Sequence, residues 1–354
     1  MELNLQQLIT HVRKDSGVQS KLALQPVLDR FSDSQPNGDA FHPNGDDAAV
    51  IATESGFNLF AMEGFIPEFV AHDPWFAGWC GVMVNCSDIA AMGGKPVAVT
   101  NAIWAQNDAS LTLLMQGIAD AAAAYGVPVV GGHTCQNTAS DQLSVAIVGQ
   151  AQQVLSSFAA KPGDVLLCAV DLRGQYQAPF LNWNAATTAP PGQLQQDIAL
   201  LPEIAAMAGV TGAKDISQAG LLGTATMFMD CSRCGVDIQL QAIPKPTAVS
   251  WEDWLCSFPS FGYLISCEPH CVEAVLALFQ QRDIHAAVIG EINDSSSVAV
   301  SYQQQQTEFW NLAQQAYLVP ESGRDLDSRS ADSHSSDRPL SKIHEYDNKE
   351  HSYA

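Results

Sequence analysis

Apolar residues at Leu5, Leu8, Ile9 and Val12, then at Leu22, Leu24, Val27, Leu28 and Phe31, recur at the spacing of one helical face. Two short helices are therefore expected before the breaker-rich stretch SDSQPNGDAFHPNG. AAVIAT (48–53) and FNLFAM (57–62) read as two strands joined at a Ser-Gly turn. A long helix follows from about Pro74 to Met92, stopped by Gly93, Gly94 and Pro96. PVAVTNAIW (96–104) is β-like, LTLLMQGIADAAAAYG (111–126) is an Ala-rich helix ending at Gly126, PVVGG (128–132) is a short buried strand and LSVAIVGQA (143–151) another. Beyond the turn KPGD (161–164), DVLLCAVDL, VDIQL, GYLISCEP and HAAVIGEI read as strands. PGQLQQDIALLPEIAAMAG, LLGTATMFMDCSRCG (closed by Gly235) and CVEAVLALFQQR read as helices. This alternation predicts an α/β chain of two domains. The boundaries are a helical N-terminal extension over 1–39, a first domain over 40–153, a second over 154–303 and a Ser- and charge-rich tail over 320–354. The tail lacks the large apolar residues that would offset ordering entropy, and it reads as disordered, with a docking or regulatory segment as the alternative.

Composition narrows the partners. The 354 residues hold 16 Lys and Arg against 38 Asp and Glu, a net charge of −22, which argues against bulk attraction to nucleic acid or an anionic membrane. No apolar run is long enough for a membrane span, and the N-terminus has no continuous apolar segment of a secretory signal, so a cytoplasmic protein is expected. Nine cysteines, several within apolar stretches, suggest free buried thiols; Cys231 and Cys234 form the one CxxC, read as packing ahead of metal or redox work. The tryptophans read as core or interface packing rather than ligand stacking.

Four segments carry candidate chemistry. Gly45-Asp46-Asp47 places adjacent carboxylates before a strand, either a hard-oxygen site for Mg²⁺ or a plain turn. Asn85 and Asp88 lie three apart on one face of an apolar helix, where a carboxylate needs a partner or a metal. Gly131 and Gly132, before His133 and Thr134, would let backbone N–H groups approach a phosphate. Asp215 stands at or just before a helix start, where an ordinary N-cap is the plain alternative. Lys95, Lys161 and Lys214 are the candidate phosphate-side cations.

In this order, GDDAAV, NCSDIAAMGGKPV, VVGGHT and KDISQAGLLGT, followed by FPSFGYLIS and AAVIGEI, resemble the superfamily of AIR synthase, thiamine-monophosphate kinase, selenophosphate synthetase and the hydrogenase maturation protein that dehydrates carbamoyl groups. The resemblance runs from about residue 40 to 300, and the chain looks most like an AIR-synthase-related protein whose substrate the motifs do not identify. It implies a two-domain α/β (α+β) fold whose N-terminal sheet domain dimerises, with ATP between the domains and Mg²⁺ bridging its phosphates to acidic side chains. Carried over by position, Asp46, Asp47, Asp88 and Asp215 would be metal ligands. Glu63, in LFAMEGF where the family has Thr-Asp, would be a fifth with a longer arm. Asn85 would support the phosphates, Gly131 and Gly132 would donate backbone hydrogen bonds, and His133 and Thr134 complete that turn. The implied activity is ATP- and Mg²⁺-dependent phosphoryl transfer to, or activation of, a small metabolite by a homodimer. Residues 1–40 have no cysteine, which disfavours selenide chemistry. Phe261 interrupts a glycine pair and is expected to narrow the substrate loop; together with Glu63 it keeps open a catalytically silent, nucleotide-binding paralogue. An acidic interaction protein sharing only fold ancestry is the remaining reading.

Overall fold

The computed structural model describes residues 3–32 and 43–319; the 320–354 tail lies outside the described residues. Helix Pro74–Ala91 begins where Asp73 accepts the Phe76 amide at 3.0 Å and Pro74 takes the first turn, where a missing N–H is not needed. Its neighbour Asp108–Tyr125 is capped by Asn107, which accepts from the Ala109 and Ser110 amides, and stops at Gly126 with φ +67°. The two helices touch through glycine. A Cβ on Gly117 would lie 1.9 Å from the Trp75 carbonyl oxygen, and one on Gly78 2.3 Å from that of Leu114.

Both helices pack on one face of a five-stranded sheet, in the spatial order Ala49–Thr53, Gly56–Phe65, Gln142–Ala151, Lys95–Ala105, Val129–Gln136. All neighbours are antiparallel except the last pair. Alternation along Gly56–Phe65 sends Leu59, Ala61 and Glu63 to the helix side and Phe60 and Met62 to the uncovered side, where they are 46% and 68% exposed.

The second sheet has seven strands, ordered Gln305–Asn311, Ser297–Tyr302, Gly235–Gln239, His285–Asn293, Val165–Val170, Gly262–Cys267, Val210–Asp215. Its central strands read as unbroken apolar runs because both faces are covered. Leu167, Ala169, Tyr263 and Ile265 face a core shared with the first domain. Leu166, Cys168, Val170 and Leu264 face a second core that includes helix Gly220–Ser232 and the N-terminal helix Leu5–Arg13. Residues 5–18 are thus built into the second domain: Leu5, Leu8, Ile9 and Val12 are buried in its core, and the Tyr317 hydroxyl donates to the Val18 carbonyl at 2.7 Å.

Several local expectations change. The strand expected at 128–132 runs Val129–Gln136, because it pairs in parallel with Lys95–Ala105 through Gln136, and as an edge strand it is exposed rather than buried. Helix Gly220–Ser232 is closed by Arg233 at φ +56°, while Gly235 opens the next strand. Asp215 ends a strand and caps no helix; Ala219 holds the N-cap position. The second sheet continues past residue 303 into Gln305–Asn311. All nine cysteines are free thiols, and Trp79, Trp183, Trp254 and Trp310 are buried in the cores.

Candidate functional site

A cavity of about 380 Å³ opens between the two sheets and the N-terminal helices. Asp46 and Asp47 reach it from the loop before the first strand, Glu63 from the second strand, Asp88 from helix Pro74–Ala91 and Asp215 from the end of its strand. These five carboxylates, drawn from four separate stretches of sequence, line one cavity. Lys21 and Lys214 are the only cations among its described lining residues.

The acidic residues divide by what already bonds them. Asp46 accepts the Ser156 hydroxyl and the Ser157 amide, each at 2.6 Å, tying the first domain's entry loop to the linker between domains. Burial raises its carboxyl above the ordinary range, Lys214 and the two serine contacts oppose this, and Asp47 adds to it. Asp47 forms an ion pair with buried Lys214 and accepts the Asp215 amide at 3.1 Å. Burial alone would lower the Lys214 ammonium, but Asp47 foremost, with Cys231 and Asp46, holds it charged and above its usual value.

Asp88 and Asp215 lack such compensation. Asp88 is 6% exposed and its Oδ2 makes no hydrogen bond. Desolvation pushes its carboxyl well up, and Asp215, Glu63 and Asp47 push it further, against Lys214. Asp215 is raised well above its ordinary value by desolvation first, then by Asp47 and Glu63, against Lys214 and Lys21. Glu63, at the cavity mouth, is raised by partial desolvation and by Asp47, opposed by Lys21. Mutually repelling carboxylates in a cleft, one with an orphaned buried oxygen, are a poor apoprotein arrangement and a good cation environment.

Hard oxygen donors of this kind suit Mg²⁺. Among the described residues no three His, Cys, Asp or Glu side chains form a ready-made cage for an ion.

Other expected residues lie elsewhere. Asn85 is fully buried behind the cavity wall, where its Nδ2 donates to the Gly81 and Val145 carbonyls at 2.8 and 3.0 Å and fastens the helix to the sheet. Gly131, Gly132, His133 and Thr134 lie exposed on the edge strand, outside the lining. Lys95 is also outside it, and Lys161 pairs with Glu268 at 2.9 Å on the surface. Phe261 does not narrow the substrate loop: it is 4% exposed, packed edge-on against Tyr263 and Phe279, while Phe258, Pro259 and Ser260 line the cavity. Sequence reasoning missed Lys21, Asn182 and Ser217 as lining residues. Ser217 lies two residues past Asp215 in KDISQAGLLGT; Lys21 and Asn182 carry no local signal.

The chain folds as two mixed α/β domains that close on a carboxylate-lined cleft. The chain belongs to the AIR synthase related family: that family's N-terminal domain matches residues 45–151 and its C-terminal domain residues 161–303. It is 40% identical over 272 residues to the uncharacterized protein sll0787 of Synechocystis, covering 76% of this chain and 84% of that one. It is 34% identical over 296 residues to the uncharacterized protein MJ0640 of Methanocaldococcus jannaschii, covering 82% and 91%. Among solved structures, T. maritima PurL complexed with ADP superposes with a TM-score of 0.69 at 18% identity, over 87% of this chain. The chain spans 52% of that PurL chain, and at this identity the likeness shows the fold. No helix among the described residues is long and apolar enough to cross a membrane.

Proposed function

We propose that this chain binds ATP with Mg²⁺ in the interdomain cleft and transfers a phosphoryl group to, or activates by phosphorylation, a small metabolite. The observation that carries this reading is the convergence of Asp46, Asp47, Glu63, Asp88 and Asp215 on one cavity, with Asp88 Oδ2 left without a partner. Asp88 and Asp215 would hold the metal, with Glu63 at the mouth and Asp46 and Asp47 behind them. Bound there, Mg²⁺ supplies neutralisation of polyphosphate charge and polarisation of the transferred group. Lys214 fixes Asp47 through their ion pair. Lys21, which has no ion pair among the described residues, faces Glu63 and Asp215 and is placed to meet a phosphate oxygen.

We further propose a homodimer through the uncovered face of the five-stranded sheet, where Phe60 and Met62 are exposed. A nucleotide role for Gly131, Gly132, His133 and Thr134 depends on such pairing, because within one copy they lie outside the cleft. Sedimentation should show a dimer that Met62→Glu converts to monomer; a wild-type monomer removes both ideas.

Calorimetry with ATP in Mg²⁺ and in excess chelator tests the cleft. Binding only with Mg²⁺ is expected, and equally tight binding in chelator contradicts the metal-bridged site. ADP formation that depends on added metabolites identifies an enzyme. ATP binding with no turnover across a metabolite pool identifies the silent paralogue, a reading that Glu63 keeps open.

A further inference from the structure

The cavity lining is chemically mixed. Besides the carboxylates, its lining holds Phe65 and Ile66 at the end of the second strand, Phe69 and Phe180, and Leu24 and Val27 from the N-terminal helices. Phe69 stacks edge-on with Phe180 at 5.1 Å between ring centroids and tilts against Phe65 at 6.0 Å, forming a continuous aromatic shelf. Of the other apolar lining residues, Leu24 is 38% exposed, Val27 48% and Ile66 50%. Apolar side chains this open, gathered around one concavity, are surface that an apolar ligand would cover.

Asn182, two residues beyond Phe180 at the start of strand Asn182–Asn184, is 4% exposed and lines the cavity. Its Oδ1 makes no hydrogen bond within the protein. A buried acceptor without a donor costs free energy unless a ligand N–H or O–H completes it, and it rejects ligands that cannot. Among the described residues its cations are Lys21 and Lys214, the latter held by Asp47.

From this juxtaposition we infer that the cleft's second ligand is an unphosphorylated organic molecule with a compact apolar or aromatic body and an N–H or O–H donor. Its body lies on the Phe65–Phe69–Phe180 shelf, covering Leu24 and Val27, and its donor meets Asn182 Oδ1. The inference rests on the reading that ATP phosphates are held at the carboxylates.

The test uses the full chain saturated with Mg²⁺ and ADP, titrated with phenylacetamide, methyl phenylacetate and ribose 5-phosphate by ligand-observed NMR. Phenylacetamide should bind, with the ester, which lacks a donor, at least ~5-fold weaker and ribose 5-phosphate weaker than both. Asn182→Leu and the surface-tolerant Val27→Asp should each weaken phenylacetamide at least ~5-fold while Mg–ATP affinity stays within ~2-fold of wild type. Three results overturn the inference: ribose 5-phosphate binds best; both variants bind phenylacetamide as wild type does; or both lose Mg–ATP as strongly as phenylacetamide, which makes the shelf the seat of adenine. If wild type binds no Mg–ATP, the nucleotide reading fails by itself, and the same titration on nucleotide-free chain still decides the shelf.

Discussion

Helices Pro74–Ala91 and Gly220–Ser232 are both buried almost throughout, and each carries one buried aspartate near its C-terminal end. Asp230 is 2% exposed, and its Oδ2 accepts the amides of Tyr317, Leu318 and Val319 at 3.1, 2.8 and 2.8 Å. Asp88, at 6%, has an Oδ2 with no partner and three carboxylates raising its proton affinity. Equal burial hides opposite purposes. Where backbone donors satisfy the charge it is a fastener, and where they are withheld the protein keeps a place for something it must bind.

The two aspartates should separate cleanly under mutation. Asp230→Ala orphans three backbone amides and should lower unfolding free energy by about 3 kcal/mol in urea titration, with Mg–ATP affinity unchanged in the folded fraction. Asp88→Asn should do the reverse. Mg–ATP affinity falls at least ~10-fold, about 1.4 kcal/mol, while apoprotein stability holds or rises, because a desolvated, repelled charge has been removed. Reduced stability with intact nucleotide binding would make Asp88 a second fastener and dissolve the contrast. Asp215→Asn should follow Asp88. Asp46 is the intermediate case, bonded to Ser156 and Ser157 yet lining the cleft. Asp46→Asn should cost about 1 kcal/mol of stability and only a few-fold in Mg–ATP affinity, measured by the same two methods.

Much of the fold was legible because its periodicities are strong: the unbroken run VLLCAV marks a strand buried on both faces, and the Asp73-Pro74 and Tyr125-Gly126 borders mark helix ends. The carboxylates were legible as motifs, and the structure gathers all five on one cavity. Three things were not. Asn182 and Lys21 reach the cavity only through tertiary placement, with no local spacing to announce them. Glycines at 131 and 132 look like a phosphate loop, yet parallel pairing with Lys95–Ala105 draws them into an edge strand. Asp230 sits in an apolar helix much as Asp88 does, and its three donors come from residues nearly ninety positions later.

That separation has a consequence in time. Leu5 meets Gln305 and Val18 meets Tyr317, so the second core cannot close until the ribosome has delivered its outermost strand and the segment to Val319. The five-stranded sheet needs nothing beyond Ala151 to pair its strands and can form early in synthesis. The cleft, roofed by residues 21–28 and walled by Leu318, is therefore assembled last. Asp215 joins the first domain's carboxylates only where the two domains pack, so the repulsion between it and them belongs to the docked state.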